Sequence, residues 1–446
     1  MTEHIFKNTA QPSKDASNEI IALFIAASHP VDLADWLGQL LRSEASNHFA
    51  TLSLRRRAEV FGHLSLGIQA DLARAMPPDA FAQILIEMDA DDRTDLLKHL
   101  TQEERQQALK SLPQKARDDT NRLSAHREGT AGAIMTSDFA VLSPTMKTMD
   151  AIVALRCAAP DAETIYRSYV LDADGRLIGS VRLHQLILAA DDAVIGGIMQ
   201  PISVMVMPET GQEDVAKAIA RYDLLALPVV DAAGRLVGIV THDDAADALK
   251  AETTEDFQKI STVLPFTQSM RDASFRMLYS KRIFWLSLLV FGNLFSGAGI
   301  AYYEETILTY VSLVFFLPLL IDSSGNAGAQ SATLMVRALA TGDVVLQDWR
   351  DLIVRELAVA AALGGTMALV VLPLGALRGG TEIALVVGLT MFVVVIVGSL
   401  VGMSLPFLLS RLRLDPATAS GPLVTTISDG VGVMVYFAIA TAVLTL

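Results

Sequence analysis

From Ile283 to Leu446 the chain is a succession of long apolar runs separated by short polar connections, whereas up to Arg282 charged residues recur every few positions. In a bilayer every backbone amide must find its partner within the protein, so runs of this length fold as spanning helices. Five stretches, Ile283 to Ala301, Leu308 to Val336, Leu357 to Leu374, Ile383 to Leu409 and Leu423 to Leu446, are each long enough to cross a core of about 30 Å. Arg271, Arg276, Lys281 and Arg282 precede the first span, Arg337, Arg350 and Arg355 follow the second, and Arg411 and Arg413 follow the fourth. The opposite connections carry only Arg378, beside Glu304, Glu305 and Glu382. The excess of positive charge places the first region in the cytoplasm and Leu446 on the other side of a cell (inner) membrane.

The soluble region is acidic. Of the formal charge of −14, most falls before residue 283, where 39 carboxylates stand against 29 lysines and arginines. That argues against nucleic acid and for cations as partners, besides membrane lipid. The single cysteine, Cys157, excludes an intrachain disulfide, and the eight histidines show no zinc spacing. No phosphate-binding loop and no paired nucleophile and base are present, so an enzyme is not expected. Met1 to Ser17 lacks the apolar core of a signal peptide and reads as a flexible tail, residues 1–17.

Three soluble sections follow. Residues 18–130 show apolar positions at helical spacing in short bursts, as in Leu33-Ala-Asp-Trp-Leu-Gly-Gln-Leu-Leu and Asp95-Leu-Leu-Lys-His-Leu, which predicts an all-α superhelical stack. An internal repeat comes next: Gly132-Ala-Ile-Met135 matches Gly196-Gly-Ile-Met199, and Asp172-Ala-Asp-Gly-Arg-Leu-Ile-Gly179 matches Asp231-Ala-Ala-Gly-Arg-Leu-Val-Gly238. Each copy, over 131–194 and 195–250, reads as an α/β unit of βαββα order. The pair resembles tandem CBS domains. The second copy carries Gly238-Ile-Val-Thr241-His-Asp-Asp244, similar to the family's GxxTxxD motif, whose Thr and Asp hold the ribose and phosphate end of a nucleotide; the first has Arg182 and Gln185 at those positions. The resemblance thus implies at most one intact nucleotide site, Thr241 with Asp244, open to ATP, against a purely structural helix start. Residues 251–282 read as one amphipathic connector helix leading into the five-helix transmembrane domain, 283–446.

Two apolar runs are interrupted. The second holds Pro318-Leu-Leu-Ile-Asp322-Ser-Ser-Gly325-Asn326-Ala-Gly328-Ala-Gln330, and the fifth holds Asp429 within Thr425-Thr-Ile-Ser-Asp429. At about 1.5 Å per residue from Gly421, Asp429 lies about 12 Å into the membrane. A carboxylate there costs roughly 2.5 to 3.5 kcal/mol, so it faces a wet cavity or binds a cation; the alternative is an acid hydrogen-bonded to Thr425 or Thr426. The Gly-Asn-Ala-Gly segment is open to a second explanation, close helix packing through small residues.

With these features in this order, the chain resembles the MgtE family of magnesium channels. The specific parts are Pro318 with Gly325, Asn326, Gly328 and Gln330, and Asp415-Pro-Ala-Thr-Ala-Ser-Gly421-Pro with Asp429. The resemblance implies a homodimer whose second and fifth membrane helices line a pore, Asp429 holding a hydrated Mg2+ and Asn326 touching its water shell. Mg2+ dehydrates reluctantly, so few carboxylates suit it. It further implies that cytosolic Mg2+ bridges Asp89, Asp91, Asp92 and Asp95 of the N-terminal domain, Glu213, Asp214, Asp223, Asp244 and Asp247 of the second CBS copy, and Glu252, Glu255 and Asp256 of the connector, and so holds the pore shut. Alternatives are a pore for Co2+ or Mn2+, and a membrane-anchored nucleotide sensor.

Overall fold

The computed structural model describes residues 11–12, 17–159, 162–266, 270, 273–419 and 421–444. Most of the expected flexible tail, and Leu446, fall outside the described residues. The chain divides into two compact units, Met1–Lys250 and Ala251–Leu446.

In the first unit the helical stack comprises α1 (Asn18–Ala27), α2 (Pro30–Gln39), α3 (Arg42–Ala50), α4 (Leu54–Gly62), α5 (Leu66–Ala75), α6 (Pro78–Glu87), α7 (Ala90–His99), α8 (Gln102–Ser111) and α9 (Gln114–Ser124). Helices of about ten residues are marginal alone in water. They persist here because each packs against the one two positions on, α2 on α4, α3 on α5 and so to α7 on α9. The shared core includes Leu33, Trp36, Phe49, Phe61, Ile84, Leu85, Leu96 and Leu97. The turns are set locally: Ser53 accepts from the Arg56 amide, Thr101 and Glu104 cap α8 reciprocally, and prolines open α2 and α6. The expected superhelical stack is what forms.

The first CBS copy contains β1 (Phe139–Leu142), α10 (Thr148–Ala158), β2 (Thr164–Leu171), β3 (Leu177–Arg182) and α11 (Leu183–Leu188). β1 lies parallel to β2 and β2 antiparallel to β3. The second contains α12 (Ile195–Ile198), α13 (Gln212–Tyr222), β4 (Ala226–Val230), β5 (Leu236–Thr241) and α14 (His242–Ile260), with β4 antiparallel to β5. Its leading strand shrinks to one parallel bridge, Val206 to Val229. The repeated glycines and methionines serve the join between the copies. Met135, which opens the first copy, packs on Gly238 of the second, and Met199 packs on Gly179 of the first; a Cβ at either glycine would lie 3.0 Å from a backbone carbonyl oxygen, that of Thr136 or Gln200.

The connector differs from expectation. Instead of one helix over 251–282, α14 ends at Ile260 and α15 (Phe275–Tyr302) begins a separate helix. Thr262 adopts a left-handed φ of 54°, and Pro265 lacks an amide and disfavours helical geometry at Leu264. The link is tied back: Gln258 and Phe266 exchange hydrogen bonds of 3.1 and 2.8 Å, and the Leu264 amide donates to Lys281 at 2.9 Å.

The second unit continues with α16 (Glu304–Thr309), α17 (Ser312–Thr341), α18 (Trp349–Arg411) and α19 (Gly421–Val443). α18 is broken at Gly380, with φ 82° and ψ −175°, and its two halves fold back on each other so closely that a Cβ on Gly375 would stand 2.7 Å from Ala384 Cα. The expected third and fourth spans are these halves. Among the described residues three segments are long and apolar enough to cross a membrane, Phe275–Tyr302, Leu346–Arg411 and Gly421–Val443; α17, which carries the expected second span, is not one of them. The core of the unit gathers Leu313, Phe316, Leu320, Val387, Val433, Tyr436 and Phe437, and the Tyr436 hydroxyl donates to the Leu313 carbonyl at 2.9 Å.

Candidate functional site

Glycines set the spacing of α17, α18 and α19. On Gly325 a Cβ would lie 2.7 Å from Thr425 Cγ2 and 3.3 Å from Asp429 Oδ1; on Gly328 it would lie 2.8 Å from both the Gly398 carbonyl oxygen and Val424 Cγ1. On the second half of α18, Gly398 and Gly402 face the Ser324 and Gly328 carbonyls, and the Ser324 hydroxyl donates to Val394 at 2.9 Å. Close packing therefore accounts for Gly325 and Gly328. Pro318, inside α17, removes one helical hydrogen bond about two turns before this crossing.

The same crossing is polar. Asp322, Asn326 and Gln330, four residues apart, are exposed along one stripe of α17, and Asn326 Nδ2 donates to Asp322 Oδ2 at 2.9 Å. Asn326 is thus engaged with Asp322 rather than with Asp429. Asp429 Oδ1 is buried without a hydrogen-bond partner, as is Ser428 Oγ beside it. The two hydroxyls considered as partners for Asp429 are used on their own helix: Thr425 donates to Gly421 and Thr426 to Pro422, both at 2.9 Å. Sequence reasoning did not single out Asp322, although its place one turn before Asn326 was a usable signal.

A second acidic group lies in the first unit. Asp89 precedes α7, Asp91 and Asp92 open it, and Asp244 and Asp247 stand on the first turns of α14. Desolvation, then the charges of Asp244, Asp92 and Glu163, hold Asp91 well above the usual carboxylate range. Desolvation, then Asp89, Asp244, Asp95 and Asp247, push Asp92 up to about 7. Glu163 rises to about 8 from desolvation and the charges of Asp89, Asp244, Asp243 and Asp92; its Oε2 and Asp91 Oδ1 are buried and unpartnered. Glu163, at the start of β2, was missed from sequence because nothing local distinguishes it; only the fold brings it to α7. The buried guanidinium of Arg93 acts on Asp89 of this group, and it donates to Thr120 and to the Leu85 and Met88 carbonyls.

The remaining expected ligands are placed differently. Asp95 pairs with Lys98 at 3.1 Å and Glu213 with Lys217 at 2.8 Å; Asp214 opens α13 and Asp223 closes it in a left-handed turn. Glu255 pairs with Lys259, which also bonds Asp415, while Glu252 and Asp256 lie on α14 with it. Among the described residues no three His, Cys, Asp or Glu side chains converge closely enough to hold a metal unaided. At the nucleotide motif the Thr241 hydroxyl bonds the Asp244 carboxylate and caps α14. In the first copy Gln185 caps its own helix by accepting from the Arg182 amide at 2.9 Å.

A helical stack, a CBS pair and an apolar helical unit with an intramembrane acid define a class, and comparison with known families gives the same division. The MgtE intracellular N domain matches residues 28–129, the CBS domain matches 131–192 and 195–251, and MgtE, described as a divalent cation transporter, matches 317–439. The chain is 36% identical to the magnesium transporter MgtE of Thermus thermophilus over 99% of this chain and 98% of that one. It is 31% identical to the Bacillus subtilis protein of the same name, over 93% and 91%. Among solved structures, the cytosolic domain of the Mg2+ channel MgtE in complex with ATP matches 52% of this chain and 95% of that one, at 36% identity and a TM-score of 0.50. The chain belongs to the MgtE family.

Proposed function

We propose that this protein carries Mg2+ across the cell (inner) membrane as a homodimer, through a path lined by α17 and α19 of both copies, and that cytosolic Mg2+ closes the path. The observation that carries this is Asp429: an intramembrane carboxylate oxygen, buried at the crossing with Gly325, with no protein partner. Such a group is stable in a bilayer when a cation or a water-filled path neutralises it. The exposed stripe of Asp322, Asn326 and Gln330 supports a path between two copies, because lipid gives those groups no partners. Mg2+ enters with its water shell largely retained, the carboxylates and amides contacting that shell.

The regulatory part has a physical basis in the acidic group. Asp89, Asp91, Asp92, Glu163, Asp244 and Asp247 repel one another, and a divalent ion relieves that repulsion only while α7 and the first turns of α14 stay packed together. Glu213, Asp214 and Asp223 at α13, and Glu252, Glu255 and Asp256 on α14, are the further acids proposed to take up ions. α14 carries these acids at one end and Lys259, tied to Asp415, at the other. ATP at Thr241 and Asp244 is favoured by the ATP complex of the related cytosolic domain.

The test is Mg2+ uptake by proteoliposomes holding wild type or Asp429→Asn. Abolished uptake in a variant that elutes like wild type is expected; undiminished uptake overturns the pore. Competition by Co2+ and Mn2+ in the same assay separates a magnesium path from one for other divalent ions.

A further inference from the structure

Asp322 is a second carboxylate in the membrane unit, and charge balance gives it a role. The lysines and arginines beyond Arg282 are Arg337, Arg350, Arg355, Arg378, Arg411 and Arg413. Arg337, the one on α17, is fifteen residues from Asp322, about 22 Å along the helix. α19 has neither lysine nor arginine. Two acids thus stand on adjoining helices within electrostatic reach of each other, and among the described residues the charge that acts on Asp429 is that of Asp322. Each is costly in hydrocarbon, and together they repel.

Three further observations point to a ligand at this seam. Ser428 is 0% exposed with its hydroxyl unpartnered, and Asp429 Oδ1 is unpartnered beside it, so the face of α19 toward α17 holds unused polar atoms. Asn326 donates to Asp322 and fixes its carboxylate in orientation. Gly325, between Asp322 and Asn326, lets α19 approach closely enough that its missing Cβ would have been 3.3 Å from Asp429 Oδ1.

We propose that Asp322 joins Asp429 in holding the permeating cation, so that each chain contributes one carboxylate from α17 and one from α19. This rests on the assignment of Asp429 to the ion path. Two carboxylates per chain raise the local charge for a divalent ion over a monovalent one, and the amide of Asn326 orients the α17 acid without neutralising it. Asp322 is thereby a selectivity residue rather than a helix-packing group.

The experiment is Mg2+ uptake against external Mg2+ concentration in proteoliposomes of wild type, Asp322→Asn, Asp322→Glu and Asp429→Asn, each checked for unaltered elution. Asp322→Asn is expected to raise the half-saturating Mg2+ about tenfold, the equivalent of one carboxylate's attraction, and Asp322→Glu to remain within about threefold of wild type. A wild-type curve for Asp322→Asn, with Asp429→Asn inactive, sinks this proposal and leaves the pore standing. Equal losses in Asp322→Asn and Asp322→Glu also sink it, since a retained charge then makes no difference. Full activity in Asp429→Asn overturns the ion path itself.

Discussion

Replacing Gly402 by alanine tests whether the membrane unit depends on direct backbone contact between α17 and α18. The added methyl carbon would stand 2.0 Å from the Gly328 carbonyl oxygen and 2.7 Å from its carbon, where ordinary contact begins at 3.4 Å. Because the obstacle is backbone, no rotamer relieves it, and the helices would have to separate by about 1 Å in a close-packed interior. Overpacking of this kind costs about 1 to 3 kcal/mol, and a backbone obstacle belongs at the upper end. At about 2 to 4 °C per kcal/mol for a unit of this size, Gly402→Ala should lower the melting temperature by about 6 to 12 °C. The assay is size-exclusion thermostability in detergent, with Gly365→Ala as control. Gly365 lies on the first half of α18 with nothing within 4 Å of its would-be Cβ, so Gly365→Ala should melt within about 2 °C of wild type. Equal melting of Gly402→Ala and wild type would refute the close crossing, and with it the geometry that sets Gly325 against Asp429.

Two further outcomes concern regulation. Asp92 at about 7, Glu163 at about 8 and Asp244 at about 6 are all raised above their unfolded values, so the ion-free packed state is favoured below about pH 4 to 5 and loses that advantage as pH rises toward 8. Mg2+ should therefore raise the melting temperature of the full protein more at pH 8 than at pH 6, where protons compete for the same oxygens; a pH-independent effect counts against the acidic group as the sensor. Lys259→Met removes the charge that joins α14 to Asp415 and should weaken that tie by about 1 to 2 kcal/mol, read as faster hydrogen exchange in residues 256–260. Unchanged exchange would show that Ile260, packed near Val336, Ala417 and Ala419, holds the helix end alone.

The local patterns of the sequence settled much of the architecture. Helical spacing in short bursts led to the stack of α1 to α9, and the repeated segments Asp172 to Gly179 and Asp231 to Gly238 led to the hairpins, because a positive φ of 78° or 79° at Gly175 and Gly234 needs glycine. The connector was misjudged because amphipathic spacing continues across 261–274 while Pro265 and the left-handed Thr262 break the helix. Asp429 stands out in the sequence as a carboxylate in an apolar run, but that its Oδ1 finds no partner in Thr425 or Thr426 only the packed helices show.

What the chain alone determined is its division into an acidic soluble part and an apolar one with acids inside it; hydrophobic transfer and charge cost act residue by residue and need no partner. Tertiary structure decided which groups meet: Met135 on Gly238, Glu163 beside Asp92, and Asp429 left unpartnered while Thr425 and Thr426 bond their own helix. The first two pairings join residues tens of positions apart, and their strength depends on distance and desolvation, which only the packed chain supplies.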